Sequence, residues 1–230
     1  MDCKPLLDAI RDNIRQVIVG KDRVIDHLLI SLLCSGHVLI EDMPGLGKTT
    51  LVSALAASLG CSFRRIQFTP DVLPSDITGF TMFNLKTGEQ ELHPGSIMHQ
   101  IVLADEINRT SPKTQSALLE VMQENQVTID GKTYPAPAPF MVLATQNPVE
   151  MAGTYPLPEA QLDRFFMRIS MGYPTHGEEL EILHNHRSRQ KAVKLQAVAT
   201  AEDVLHMQQG LDEILCAPPV LDYVVSIVEA

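Results

Sequence analysis

Apolar residues recur along this chain with two periods, and their alternation lays out an architecture before any chemistry is considered. Leu6, Leu7, Ile10, Ile14, Val17 and Ile18 recur at helical spacing, as do Val24, Ile25, Leu28, Leu29, Leu32 and Leu33. These predict two amphipathic helices. Five short apolar runs follow, at 38–41, 63–68, 101–104, 140–144 and 167–171. Helical stretches separate them, the first with Leu51, Leu55 and Leu59 four apart. Short strands alternating with helices predict a parallel five-stranded sheet with helices on both faces. Ser111 before Pro112 marks one helix start, with Leu118, Leu119 and Met122 turned inward.

Two segments interrupt the alternation. Residues 79–93 read as a hairpin turning at Thr87-Gly88, and 127–134 as another, its Asp130-Gly131 pair being a strong short-range hairpin signal. Gly172-Tyr173-Pro174 marks a boundary. Beyond it, Thr175 and Glu178 form a capping box, and a further helix begins near Thr200. Pro218-Pro219 breaks that helix, and an apolar helix over 220–228 runs into the last residues. The expected division is an α/β core over 1–173 and the N-terminal part of an incomplete all-helical lid over 174–230. The chain therefore reads as a piece of a longer protein.

Composition narrows the setting. At 230 residues, 45% hydrophobic and 20% charged, the chain is an ordinary globular one. No segment reaches the roughly 18 uninterrupted apolar residues of a membrane span. Met1-Asp2-Cys3-Lys4-Pro5 has neither the basic nor the apolar region of an export signal. Cys3, Cys34, Cys61 and Cys216 lack paired spacing and read as reduced thiols, so a cytoplasmic location is expected. His184 and His186 are close in sequence but face apart on a helix, so no histidine metal site is expected. The net charge of −10 argues against a general nucleic-acid surface. The hairpins agree, setting Asp130 against Lys132 and Lys86 against Glu89 and Glu91.

Chemistry enters behind the first apolar run, with Asp42-Met43-Pro44-Gly45-Leu46-Gly47-Lys48-Thr49-Thr50. Strand, glycine loop, lysine, hydroxyl and helix is the order a phosphate-binding loop requires. Backbone N–H groups of Gly45, Leu46 and Gly47 line the phosphates, Lys48 reaches the outer ones, and the Thr49 hydroxyl meets Mg²⁺. The helix N-terminus adds partial positive charge. Asp42 stands where the usual pattern has glycine, and a carboxylate there must point away or meet a cation. Ile18-Val19-Gly20-Lys21 is a small apolar turn that can pack on a flat ring such as adenine, or simply join two helices.

Downstream, the run at 101–104 ends in Asp105-Glu106. At the C-terminal edge of a parallel sheet, the first carboxylate can hold Mg²⁺ through water and the second can orient or deprotonate an attacking water. The run at 140–144 leads to Asn147, placed to bond the γ-phosphate and that water, or to start an Asn-Pro turn with Pro148. A short helix over 158–165 carries Arg164, which points away from its own loop or pairs locally with Asp163 or Glu159.

These motifs resemble the MoxR family of AAA+ ATPases. The likeness runs over about 17–173 and is densest at 68–79, 103–109, 113–120 and 153–165. By that resemblance Lys48 and Thr49 are the Walker A pair, Asp105 and Glu106 Walker B, and Asn147 sensor 1. Arg164 is the arginine finger given to a neighbour, with Arg168 as the weaker candidate, and 79–93 is the helix-2 insert. The family's sensor 2 arginine has no counterpart in this sequence. The resemblance implies ATP and Mg²⁺ as ligands and a homo-oligomeric, hexameric ring. It also implies a chaperone-like action on partner proteins, often ones with von Willebrand factor A domains. A magnesium-chelatase ATPase subunit is a close alternative. A DNA-dependent helicase is disfavoured by the hairpin charges, and an enhancer-binding transcriptional activator because 79–93 does not contain that class's polymerase-contacting loop sequence. A non-hydrolysing nucleotide switch is disfavoured by the intact Asp105, Glu106 and Asn147.

Overall fold

In the computed structural model, which describes residues 3–147, 153–187 and 195–229, helices α1 (Lys4–Arg15) and α2 (Asp22–Leu33) precede strand β1 (Val38–Glu41). Helix α3 (Lys48–Ser58) leads to β2 (Phe63–Gln67), and α4 (Pro74–Thr78) opens into the hairpin of β3 (Gly79–Asn84) and β4 (Glu89–Pro94). Next come β5 (Ile101–Asp105), a 3₁₀ turn Ile107–Arg109 and α5 (Pro112–Glu124). The second hairpin, β6 (Gln126–Ile129) and β7 (Lys132–Pro135), is followed by β8 (Met141–Gln146), α6 (Glu159–Leu162) and β9 (Met167–Ile169). Helices α7 (His176–Arg187), α8 (Ala201–Asp212) and α9 (Pro218–Glu229) complete the described elements. Pro148 and the side chain of His186 lie outside the described residues.

Five strands pair in parallel in the order β2-β5-β8-β1-β9, so β8 lies between the strands that precede the phosphate loop and the acid pair. Val38, Ile40, Ile101, Leu103, Met141 and Leu143 pack on one side with residues of α1, α2 and α3. Leu39, Val102, Ala104, Val142 and Ala144 pack on the other with Phe68, Ile77, Leu118 and Leu119. Neighbours along each strand thus enter opposite clusters, as a pleated strand requires. Because both faces of β1, β5 and β8 are covered, these central strands read as continuous apolar runs, whereas the edge strands β2 and β9 carry exposed arginines.

Local signals account for most boundaries. The Ser111 hydroxyl accepts from Thr114 N–H, and Pro112 occupies the first turn of α5. Asp130 and Gly131 both have positive φ, 48° and 78°, giving the primed turn that matches strand twist between β6 and β7. The helix expected over 158–165 is shorter, Glu159–Leu162, and leaves Arg164 beyond its end. Three further boundaries differ from expectation. Helix α1 ends at Arg15, because Val17 and Ile18 N–H both turn back on the Ile14 carbonyl. Strand β9 stops at Ile169, because the Met171 and Gly172 N–H groups go to the Asp42 carboxylate instead of a strand partner. Pro218-Pro219 opens α9 rather than breaking α8, which has already ended at Asp212.

His37, immediately before β1, ties these layers together. Its Nδ1 accepts the Val142 N–H at 3.0 Å, so the proton sits on Nε2, which donates to the Met122 carbonyl of α5 at 2.8 Å. Phe140 packs edge-on at 5.6 Å, and the His37 carbonyl accepts Phe166 N–H at 2.8 Å. Protonating Nδ1 would turn its acceptor role into a clash of donors. Burial accordingly holds the His37 pKa below its ordinary 6.5. The unfolded chain then binds the extra proton first, so His37 contributes stability that is present above about pH 6.5 and is lost as pH falls toward the depressed folded value. His37→Gln should cost about 1–3 kcal/mol near pH 7.5 through its unpaired backbone partners. It should also flatten the fall of the thermal midpoint below about pH 6.5. Parallel melting curves of wild type and variant that keep the same slope with pH would refute this role.

Candidate functional site

Polar residues gather where the strands end. The loop over 42–47 joins β1 to α3, with Gly45 and Gly47 at φ of +87° and +84°. An added Cβ would meet nothing within 4 Å at either position, so backbone conformation rather than space demands glycine there. Lys48 and Thr49 open α3, as expected. The Lys48 ammonium donates to the Asp42 carbonyl at 2.9 Å. Burial lowers its pKa, and the charges of Asp105, Asp42 and Glu106 oppose that shift.

The Asp42 carboxylate turns away from the loop. It accepts the Ser170 hydroxyl at 2.7 Å, the Met171 N–H, and the Gly172 N–H at 3.3 Å. Lys21 reaches the same segment, donating to the Gly172 and Tyr173 carbonyls at 3.3 and 3.1 Å. A Cβ on Gly20 would collide with the Glu178 carboxylate. Residues 18–21 are therefore docked on 172–178, which Asp42 in turn binds to the phosphate loop.

Across the sheet edge, the Thr145 hydroxyl donates to Asp105 Oδ1 at 2.6 Å and accepts the Glu106 N–H at 2.9 Å. Glu106 is left-handed at φ 58°, a conformation that costs a non-glycine residue about 1–3 kcal/mol and persists only where neighbours impose it. Gln67 donates to Glu106 Oε2 at 2.8 Å, and Arg109 lies 3.3 Å from the same oxygen. Arg65 pairs with Asp105 Oδ2 at 2.6 Å. Gly45, Gly47, Lys48, Thr49 and Thr50 line one cleft of about 310 Å³ together with Asp105, Glu106, Thr145, Asn147, Arg65 and Gln67, a volume within the range of small-molecule sites. Leu46, Val19 and Gly20 are not among its lining residues.

The donor set suits a hard divalent cation. Among the described residues no group of three or more His, Cys, Asp or Glu side chains is arranged to hold a metal ion. The Thr49 hydroxyl and the Asp105 carboxylate instead share the cleft. Such a pair fits an ion that takes its remaining oxygens from water and phosphate.

Comparison with known proteins decides the family. The pattern of the ATPase family associated with various cellular activities (AAA) matches residues 37–167. The chain is 52% identical to the uncharacterized protein YeaC of Bacillus subtilis, covering 99% of this chain and 71% of that one. It is 44% identical to the chaperone MoxR1 of Mycobacterium tuberculosis, over 94% of this chain and 57% of that protein. A crystal structure of a protein assigned as an ATPase in Cytophaga hutchinsonii superposes with a TM-score of 0.91 at 42% identity, covering 99% of this chain and 69% of the other. This chain belongs to the MoxR family of AAA+ ATPases.

In this MoxR-family chain the candidate arginines part company. Arg164 lies just past the end of α6 and donates from Nη1 to the Leu119 carbonyl at 3.1 Å and to the Gln123 side chain. Its partners are thus on α5, not Asp163 or Glu159 as a local pair would have it. It lines a separate cleft with Ser116, Glu120 and Gln161. Arg168, on β9, pairs instead with Glu41 at 3.2 Å, and Glu41 also accepts the Gln146 amide.

Sequence reasoning passed over Thr145, Arg65, Gln67 and Arg109. The first carried a signal, being the polar residue directly behind an apolar run. Arg65 and Gln67 carried another, at alternate positions of a strand otherwise expected to be covered on both faces. In MoxR-family terms the departure at Asp42 is also structural, since it fastens β9 to the phosphate loop. Asp42→Ala strands the N–H groups of Met171 and Gly172, and should cost about 2–4 kcal/mol. A urea midpoint unchanged from wild type would contradict that role.

Proposed function

We propose that this chain binds ATP with Mg²⁺ and hydrolyses it as part of a ring-forming MoxR-type remodeller of partner proteins. The observation that carries the reading is the convergence of Lys48 and Thr49 with Asp105, Glu106 and Asn147 in one cleft at the C-terminal sheet edge. Residues 1–173 act as the nucleotide-binding core, and 174–230 contribute helices of a lid. In this reading Val19 and Gly20 pack on the adenine, and the loop over 45–50 holds the phosphates. Bound through Thr49 and Asp105, Mg²⁺ would offset phosphate charge. Glu106 accepts a proton from water as its oxygen bonds to the γ-phosphorus. The bond from that phosphorus to the β–γ bridging oxygen then breaks, leaving ADP and phosphate. Asn147 orients the water.

The trans arginine is Arg164, which lies in a cleft separate from that of its own phosphate loop, whereas Arg168 is committed to Glu41. The chain spans 71% of the length of YeaC and 57% of MoxR1, so ring assembly, a cytoplasmic setting and clients such as von Willebrand factor A domain proteins are part of the proposal. Among the described residues no helix is long and apolar enough to cross a membrane.

Binding and turnover measurements on variants test this. Lys48→Ala should abolish ATP binding in calorimetry. Glu106→Gln should bind ATP like wild type and turn over at least about 100-fold more slowly. Normal turnover by Glu106→Gln would overturn the assignment. In the assembled protein Arg164→Ala should keep ATP binding and lose about 10³-fold in rate. Mixing it with Lys48→Ala should restore activity, because intact loop and intact arginine then meet across subunits. Exchanging mixtures that stay inactive would remove Arg164 from that role.

A further inference from the structure

Asp105 Oδ2 is claimed twice. The proposed function needs this carboxylate for the water shell of a cation, and the structure gives the same oxygen to Arg65. Nε and Nη2 of Arg65 both donate to Oδ2, at 3.0 and 2.6 Å. A carboxylate oxygen offers two lone pairs, so this grip uses both. The other oxygen, Oδ1, takes the Thr145 hydroxyl. The two partners differ in how readily they leave. Thr145 is 1% exposed and also holds the part-buried Glu106 N–H, so it cannot turn without giving up that bond as well. Arg65 comes from β2, an edge strand of the sheet. Its side chain is 46% exposed while that of Asp105 is 13% exposed. Its guanidinium can regain water as it lets go.

We propose that Arg65 is an exchangeable counter-ion of Asp105. It competes for Oδ2 with a hydrated divalent cation and withdraws from the carboxylate when a metal–nucleotide complex binds. Arg65 thereby sets how much Mg²⁺ the site needs and keeps the buried acid paired when the cation is scarce. The inference rests on the Mg²⁺–nucleotide reading above. A stabilising clamp between β2 and β5 would use the same pair but predicts no change in cation demand. A phosphate ligand would also use a cation here, but predicts loss of nucleotide affinity without metal.

The test is titration of the protein with fluorescent ADP in EDTA and across a Mg²⁺ series. The readout is the Mg²⁺ concentration at which ADP affinity has risen halfway. Arg65→Gln should lower that midpoint about tenfold, the scale of a hydrogen-bonded charge partner removed from a partly buried acid. ADP affinity in EDTA should stay within about threefold of wild type, since in this proposal the guanidinium serves the acid and not the phosphates. Arg65→Lys keeps the charge but has no second nitrogen for the two-donor grip, so its midpoint should fall most of the way to that of Arg65→Gln. An unchanged or raised midpoint in Arg65→Gln would refute the competition. So would a loss of tenfold or more in EDTA, or an Arg65→Lys protein indistinguishable from wild type. Wild-type affinity that ignores Mg²⁺ would defeat the Mg²⁺ reading itself. A wild type that responds while Arg65→Gln keeps the same midpoint defeats this inference alone.

Discussion

Both faces of the three central strands, β5, β8 and β1, are sealed by apolar side chains, and that constraint governs where chemistry can stand. A strand covered above and below has no face on which to carry a charge, so its polar residues collect at its ends. Glu41, Gln67, Asp105 and Gln146 are the last residues of β1, β2, β5 and β8. Parallel pairing brings all of these ends to one edge of the sheet. The cleft of the candidate site opens there, in keeping with the rule that open α/β sheets bind ligands beyond their carboxyl ends.

Gathering so many carboxylates at one edge costs electrostatic energy unless each finds a partner. The structure answers with short bonds between neighbouring strands. Asp105 takes Thr145 from β8 and Arg65 from β2, Glu41 takes Gln146 and Arg168, and Glu106 takes Gln67. These are hydrogen bonds between groups of partial burial, each of modest net value in exposed settings and costly to break once one partner is buried. Their joint effect is to hold the carboxyl groups in fixed orientations, at the expense of a left-handed Glu106.

Asp42 and His37 show how the same edge is joined to its surroundings. Asp42 replaces a glycine of the usual phosphate-loop pattern, yet it lies where its carboxylate serves Ser170, Met171 and Gly172. Lys21 grips the carbonyls of that segment from the other side. A nucleotide held by the loop would therefore be mechanically linked to residues 18–21 and to the start of α7. His37 performs a comparable service at the opposite end of β1, where it joins β8 and α5.

Much of this was legible in the chain. Apolar periodicity marked the five strands and most helices, because pleat and helix turn impose their own spacing on burial. Ser111-Pro112, Thr175 with Glu178, and Asp130-Gly131 announced caps and turns through bonds or dihedrals that neighbours in sequence settle between themselves. Gly45, Gly47, Lys48 and Thr49 were legible for the same reason, since a loop and a helix start are local. What no local pattern could decide is which strand lies beside which. That order alone puts Arg65 against Asp105, Thr145 between Asp105 and Glu106, and Asp42 under Gly172. Each of these contacts joins residues about 40 or more positions apart, and their energy exists only after the sheet has assembled.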